Sequence, residues 1–373
     1  MRILVLYASA GTGHRRAAEA LAAAAACDGA DDQVTVCDIL DFTPLPFRQT
    51  YARGYLRLVR KAPELWSYFY SRTDRNAQVP WRKWVRSVFN EINAHSFFRF
   101  ARDLAPDCII CTHFLPLELI SSRSRRRKMV VPFFACVTDF AVHSLWMSEE
   151  VDCYYVATQE ARRQLIRRGQ PHDRIAVTGI PIDPAFSRAR SRKLLKQGLE
   201  IEPGLPVVLA LFGGLGVGPV TQLVRSLHTS EIACRLLLVA GAEESFRKEA
   251  VAAARGARMP ITVYGFVNNV HELMRVSDIV VGKPGGLTCS EALAVGAPML
   301  IIDPIPGQEQ RNCEFLLEAG AAARLLEIED AADKIDALLR DQCRLKRMGR
   351  NARRIGRPCA ASAILADVRE RCR

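Results

Sequence analysis

Four clusters in the 373-residue chain combine chemically able side chains with glycines that let a backbone approach a ligand. The first is Gly11-Thr12-Gly13-His14, between an apolar run and an Ala-rich helical stretch. Free N–H groups at such a turn meet an anion or a polar head, and an imidazole there accepts a proton near neutral pH. The motif lacks both the dinucleotide spacing and the P-loop lysine, so an ordinary strand-to-helix turn explains it equally well. The second is VTDFAVH (137–143), followed by Trp146. Asp139 stands just past an apolar strand, where α/β proteins carry ligand groups, with a helix cap as the alternative. His143 is open between ligand contact and plain surface.

The third cluster, FGGLGVG (212–218), holds more glycines than a turn needs, and its N–H groups suit a phosphate. The fourth is the most informative: GKPGG (282–286), then LTCSEA with Glu291, then DPIPGQE (303–309) and Asn312. A glycine turn entering a helix can hold the second part of a diphosphate. A carboxylate one turn further in is disfavoured beside that charge, and a ribose whose hydroxyls it accepts gives it a reason to be there. The alternative is an exposed helical Glu291. Gln308 and Glu309 present an amide and an acid suited to a sugar hydroxyl array.

These clusters need strands to place them. Short apolar runs at 3–7, 34–37, 108–111, 130–137, 154–157 and 175–177 alternate with helical stretches, which predicts a parallel, doubly wound sheet. A second series begins at 207–212 and recurs at 236–239, 261–264, 279–281 and 299–302. The expected fold class is α/β, with two Rossmann-like domains facing a central cleft. The expected boundaries are 1–180, a linker at 181–206, a second domain at 207–355, and a C-terminal helix at 356–373 packing back on the first domain.

Bulk properties narrow the partners. The net charge of +12 points to an anionic partner such as a membrane surface, nucleic acid or phosphorylated substrate. Residues 44–90 carry ten basic residues against Glu64 and Asp74, with Trp66, Trp81, Trp84, Tyr51, Tyr55, Tyr68 and Tyr70. Such a basic, aromatic stretch suits the headgroup level of a bilayer, with Arg53, Arg57, Arg82 and Arg86 toward anionic lipid. A solvated helical pair completing the core is the alternative. No helix-turn-helix, zinc finger or RNA-binding signature argues for nucleic acid.

No apolar stretch is long enough to span a bilayer, and the first ten residues run into a turn rather than a cleavage site. A cytoplasmic, peripheral protein is expected. The twelve cysteines are scattered. Cys108 and Cys111 lie in a strand-like run, whose alternation denies them one shared metal. Asp31-Asp32 lies in a polar turn far from the other motifs, so neither a metal nor a cofactor is expected.

At this point the run GKPGGLTCSEALAVGAPMLIIDPIPGQEQRNCEFLLEAGAA resembles the donor-binding half of the family 28 glycosyltransferases of the GT-B fold. The segments ASAGTGHRRAAEAL and VTDFAVHSLWMSEEVDCYYVATQEARRQLIRRGQPHDRIAVTGIPIDPAF resemble its diacylglycerol branch, comprising monogalactosyldiacylglycerol synthase and processive diacylglycerol glucosyltransferase. The resemblance implies inverting, metal-independent transfer from a UDP-hexose to diacylglycerol. It also implies that Glu291 holds the ribose and that Gly285, Gly286 and Leu287 line the diphosphate, with Gly213 and Gly214 opposite. Gln308, Glu309 and Asn312 would read the hexose, and Phe266 with Val267 the uracil. His14, beside Gly13, would adjoin the acceptor, and His143 and Trp146 fall in the acceptor half.

The family often has three glycines before that histidine. Here Thr12 interrupts them, which narrows the acceptor approach. Lys283-Pro284-Gly285-Gly286 matches the bacterial glucosyltransferase better than the plant members. In the mechanism expected, His14 is the base, oriented by Asp139, and glycine-turn N–H groups meet the leaving diphosphate. Glucose against galactose stays open. So do two rivals of the same architecture, a lipid-linked N-acetylglucosaminyltransferase and a UDP-sugar 2-epimerase.

Overall fold

A computed structural model of the protein describes residues 1–9, 11–45, 47–48, 74, 91–120, 131–212, 219–228 and 233–373, with backbone only at 91–95. The expected contributions of Arg53, Arg57, Trp66, Trp81, Trp84, Gly213 and Gly214 therefore lie outside the described residues, as do those of Arg82 and Arg86. The chain divides into two compact units. Unit 1 gathers Met1–Pro184, Pro306–Gln308 and Cys359–Arg373, and unit 2 gathers Ala185–Ile305 and Glu309–Pro358.

Unit 1 opens with β1 (Arg2–Tyr7), α1 (Thr12–Cys27) and β2 (Gln33–Asp38). It continues through α2 (Glu91–Leu104), β3 (Cys108–Cys111), α3 (Phe114–Ile120), β4 (Phe133–Cys136), β5 (Cys153–Val156), α4 (Gln159–Arg167) and β6 (Ile175–Val177). The six strands pair in parallel in the order β2-β1-β3-β4-β5-β6. The inner strands β3, β4 and β5 are short and buried along their whole length because both faces are covered. Leu4, Leu6, Ile109, Cys111 and Phe133 pack on one face with Phe97, Phe98 and Leu115. Ile3, Val5, Cys108, Ile110 and Phe134 pack on the other with Leu21 and Ala24. Cys108 and Cys111 thus fall on opposite faces of the sheet.

Unit 2 begins earlier than the periodicity suggests. The stretch 181–206, expected as a linker, folds into a one-turn helix (Pro184–Phe186) and α5 (Arg192–Gly198). Its composition is polar because it lies on the surface, and hydrogen bonds fix it there. The Arg192 guanidinium donates to Val276 O at 2.8 Å and pairs with Asp278 at 2.7 Å, and Arg275 donates to Phe186 O at 2.6 Å.

The sheet elements follow: β7 (Val207–Leu211), α6 (Val220–Leu227), β8 (Arg235–Val239), α7 (Glu244–Ala254), β9 (Ile261–Tyr264), α8 (Val270–Val276) and β10 (Ile279–Gly282). Then come α9 (Gly286–Val295), β11 (Met299–Ile301), α10 (Gln308–Glu318), β12 (Ala322–Arg324), α11 (Ala331–Arg340) and α12 (Gln342–Ile355). The strand order is β12-β11-β10-β7-β8-β9, again parallel. The last helix, α13 (Ala360–Arg371), returns to unit 1 and buries Ile364, Leu365 and Val368 in the second of its two cores. Each sheet has a point where consecutive connections leave in opposite directions, between β1 and β3 and between β7 and β10. In doubly wound sheets, that is where ligands bind.

Candidate active site

In unit 1 the C-terminal ends of β1, β3 and β4 lie side by side, and the histidine of the glycine turn falls among them. The structure starts α1 at Thr12, so Gly13 and His14 occupy its first turn and the imidazole reaches back over the strand ends. Its Nδ1 lies 2.8 Å from Thr112 O and 3.0 Å from Thr138 Oγ1. A carbonyl oxygen only accepts, so Nδ1 carries the ring proton and Nε2 keeps its lone pair. Thr112 also donates its hydroxyl to His14 O at 2.9 Å, which locks residue 14 to the end of β3 from two sides. Burial pushes the His14 pKa down to about 4, against a smaller upward pull from the Thr112 carbonyl. The ring is therefore neutral at pH 7.

Asp139 is not among the groups that hold His14, contrary to the expected pairing. The physical reason is strand register: Thr138, one residue earlier, is the side chain that turns toward the ring. His113 is a further member of the cluster. Its ring meets that of His14 edge to face, with centroids 4.3 Å apart and planes at 84°. It then stacks on Phe114 at 4.2 Å, and Phe114 meets Trp146 edge-on at 6.2 Å.

That ladder corrects the placement of His143 and Trp146 at the acceptor surface. Trp146 is 2% exposed and forms part of the core beneath the two histidines. His143 is also buried and spends its Nδ1 accepting from Leu145 N at 3.1 Å, capping a turn of 3-10 helix. Asp74 pins the same turn, accepting from Ser144 N and from Arg168, each at 2.9 Å. Thr112 and His113 escape the sequence reading because that reading stops at the strand's last apolar residue. Their place just beyond β3, the neighbour of β1, is the signal that could have found them.

In unit 2 the corresponding strand ends are those of β7 and β10, where Gly282 pairs with Leu211. A Cβ at Gly282 would stand 2.9 Å from Leu211 O, so glycine is what lets the two strand ends approach. Helix α9 starts at Gly286 with Gly285 as its N-cap and no side-chain cap, leaving the first-turn N–H groups for another acceptor. Leu287 in that turn is largely buried. Glu291 is 2% exposed, which rules out the exposed-helix alternative.

Asn312 is fully buried, and its Nδ2 donates to Pro284 O at 3.0 Å. It fastens the glycine turn to α10, a structural contact beyond the role expected of it. Glu309 accepts from Ile305 N at 2.8 Å through Oε2, while its Oε1 is 4.0 Å from where a Gly285 Cβ would stand. Gln308, one residue earlier, is half-buried. Lys283 pairs with Asp303 at 2.8 Å, and Asp303 sits at φ 39°, a conformation costly for a side-chain-bearing residue. At the sheet edge after β9, Phe266 is 71% exposed and Val267 half-buried. Among the described residues, no group of three His, Cys, Asp or Glu side chains is arranged to hold a metal ion.

Residues 14–182 match the family model for monogalactosyldiacylglycerol (MGDG) synthase, and 216–355 match that for glycosyl transferases group 1. The chain is 28% identical to the processive diacylglycerol beta-glucosyltransferase of Bacillus subtilis, over 98% of its own length and 94% of the relative's. The Bacillus thuringiensis protein of the same name is also 28% identical, over 99% and 93%.

Solved structures of similar shape include Acinetobacter baumannii MurG, with TM-score 0.64, 15% identity and 99% of both chains covered. Another is the Neisseria meningitidis UDP-GlcNAc 2-epimerase bound to UDP-GlcNAc, with TM-score 0.59, 15% identity, and 99% and 100% covered. A third is Anabaena HepE in complex with UDP-glucose, with TM-score 0.57, 16% identity and the same coverage. At such identities these three speak to the GT-B fold alone. The chain thus matches a monogalactosyldiacylglycerol synthase domain followed by a group 1 glycosyl transferase domain, and along nearly its whole length it is similar to the diacylglycerol branch of the family 28 glycosyltransferases.

Proposed function

We propose that the protein transfers a hexose from UDP-glucose or UDP-galactose to the free hydroxyl of 1,2-diacylglycerol, with inversion and without a metal ion. The observation that carries this reading is the 2.8 Å hydrogen bond between His14 Nδ1 and the Thr112 carbonyl. With Nδ1–H tied to the Thr112 carbonyl, Nε2 is a free base at the switch point of the unit 1 sheet. The hydroxyl oxygen attacks the anomeric carbon from behind the leaving group while its proton passes to Nε2. The bond to UDP breaks as the new glycosidic bond forms, and the Thr112 carbonyl favours the imidazolium that results.

On the donor side, the uncapped N–H groups of Gly286 and Leu287, beyond the Gly285 cap, meet the charge that develops on the diphosphate. Glu291 takes the ribose hydroxyls, and Gln308 with Glu309 takes the hexose. The exposed ring of Phe266, with Val267, offers the uracil an apolar face. The acceptor lives in a bilayer, so the protein works as a peripheral protein on the cytoplasmic face of the membrane. Among the described residues no helix is long and apolar enough to cross one. Support for an anionic surface comes from α12, where Lys346, Arg347, Arg350, Arg353 and Arg354 are exposed.

The test offers the purified protein radiolabelled UDP-glucose, UDP-galactose or UDP-N-acetylglucosamine with diacylglycerol in anionic liposomes. Label from a hexose donor in the lipid phase is the expected result. Label from the N-acetylglucosamine donor only, or none while the donor still binds, overturns the reading.

A further inference from the structure

The mechanism above uses one imidazole of a pair. His113 contributes nothing to it so far, yet it is 2% exposed, stacked between His14 and Phe114, and polar on an edge that packing does not explain. Its tautomer can be deduced. The backbone N–H of Leu115 donates to His113 Nδ1 at 2.9 Å, so that nitrogen bears a lone pair. Burial, reinforced by the neighbouring His14, holds the His113 pKa well below that of a free histidine, so the ring is neutral. Its one proton is therefore on Nε2.

The two rings are thus locked in opposite tautomers by different backbone groups. The Thr112 carbonyl places the proton of His14 on Nδ1, and the Leu115 amide places that of His113 on Nε2. Neither Nε2 has a hydrogen-bond partner among the described residues. One ring of the pair offers a lone pair and the other an N–H, and their centroids are 4.3 Å apart. A hydroxyl group is the complement of that arrangement, since one oxygen both donates and accepts.

We infer that His113 is a second catalytic residue, whose Nε2–H donates to the acceptor hydroxyl oxygen while that hydroxyl donates to His14 Nε2. The inference rests on the transfer reading above. During the reaction the hydroxyl proton moves to His14 Nε2, the oxygen bonds to the anomeric carbon, and UDP leaves with the electron pair of the broken bond. His113 keeps its proton throughout. Its donation steadies the negative charge that the oxygen gains before the new bond is complete, as an oxyanion donor does. A doubly acylated glycerol has a single free hydroxyl, and a donor–acceptor pair selects the oxygen that presents a proton in one direction only.

Two substitutions separate this role from the cap on α3. In His113→Asn the amide oxygen takes the place of Nδ1 and keeps the Leu115 bond, but nothing reaches the Nε2 position. In His113→Gln the amide N–H reaches toward the Nε2 position while the cap is lost. His113→Asn is expected to keep the wild-type urea midpoint and KM for the UDP-hexose while kcat falls roughly 100-fold. His113→Gln recovers part of that rate despite lower stability. With a fluorinated acceptor whose hydroxyl is more acidic, the His113→Asn deficit shrinks to under about tenfold, because a more stable oxyanion needs less help. Wild-type turnover in His113→Asn, or equal deficits with both acceptors, overturns the inference.

Imidazole 15N spectra decide it independently of any transfer. His14 is expected protonated at Nδ1 and His113 at Nε2, and added glycerol is expected to move both Nε2 signals. The opposite tautomer at His113, or no response of either signal to glycerol, overturns the hydroxyl cradle. Absence of transfer by the wild type would overturn only the activity reading.

Discussion

Replacing His14 by Asn tests the electrostatics of the site directly, because the Asn amide can still donate to the Thr112 carbonyl while the titrating group is gone. In the folded protein burial brings the His14 pKa from 6.5 to about 4. Between those values the unfolded chain binds a proton that the folded chain refuses, so stability from this residue is complete above about pH 6.5. It is lost as the pH falls toward 4. One pKa unit corresponds to about 1.4 kcal/mol, which gives roughly 3 kcal/mol across the window. Because the ring keeps some contact with solvent, about 2–3 kcal/mol is the expected loss.

Urea unfolding at steps from pH 7 to 4.5 should show the stability of wild type falling toward that of His14→Asn. Had a carboxylate such as Asp139 been the partner, the folded pKa would have been raised and the trend reversed. Parallel pH profiles for the two proteins, or a widening gap at low pH, would refute the buried, Thr112-held imidazole. The same reasoning predicts a wild-type kcat/KM that stays within about twofold from pH 8 down to about 5, since the base form persists there.

Four other outcomes follow from specific contacts. Gly282→Ala places a methyl 2.9 Å from Leu211 O and should cost roughly 1–3 kcal/mol in urea unfolding while weakening UDP binding. Asn312→Ala deprives the Pro284 carbonyl of its donor; about 1–3 kcal/mol of stability should be lost, with UDP affinity by calorimetry falling as the turn loosens. Ile364→Ala empties a fully buried site in the α1–α13 layer and should cost about 2–5 kcal/mol, read by hydrogen exchange in β1 and β3 and not in unit 2. Changing Lys346, Arg347, Arg350 and Arg354 together to Gln should weaken sedimentation with anionic vesicles by up to about 1 kcal/mol per residue, and leave neutral vesicles unaffected.

The sheets were legible because their strands are apolar runs of a length that fits only buried parallel strands, and turn glycines punctuate them. The motif glycines were legible for the same reason: Gly282 and Gly285 stand where a strand end meets a helix start. Orientation within the site was not. Whether Thr138 or Asp139 turns toward His14 depends on the register of β4 against β3, which no local pattern encodes. His143 and Trp146 fall in the acceptor half by resemblance, but the Asp74 and Arg168 bonds fold their turn inward. Asn312 lies one helical turn beyond Glu309, and only the folded chain reveals that its amide donates to the Pro284 carbonyl. The stretch 181–206 reads as a connection because exposed basic side chains and a short helix share a composition with loops.

Helix α13 closes a layer whose other members, β1, α1 and β3, are made first. Between the end of β6 at Val177 and the start of α13 at Ala360 lies all of unit 2. At about 5–20 residues per second, synthesis of that interval takes roughly 10–40 s. Through it, the stretch of sheet later covered by Ile364, Leu365 and Val368 has no partner, while all six strands of the unit 2 sheet, Val207 to Arg324, emerge within the interval. Birth order and folding order are therefore inverted: the half that leaves the ribosome first is the half that finishes last. A stalled or clipped chain lacking its final helix would carry a folded unit 2 beside a unit 1 with an open apolar seam.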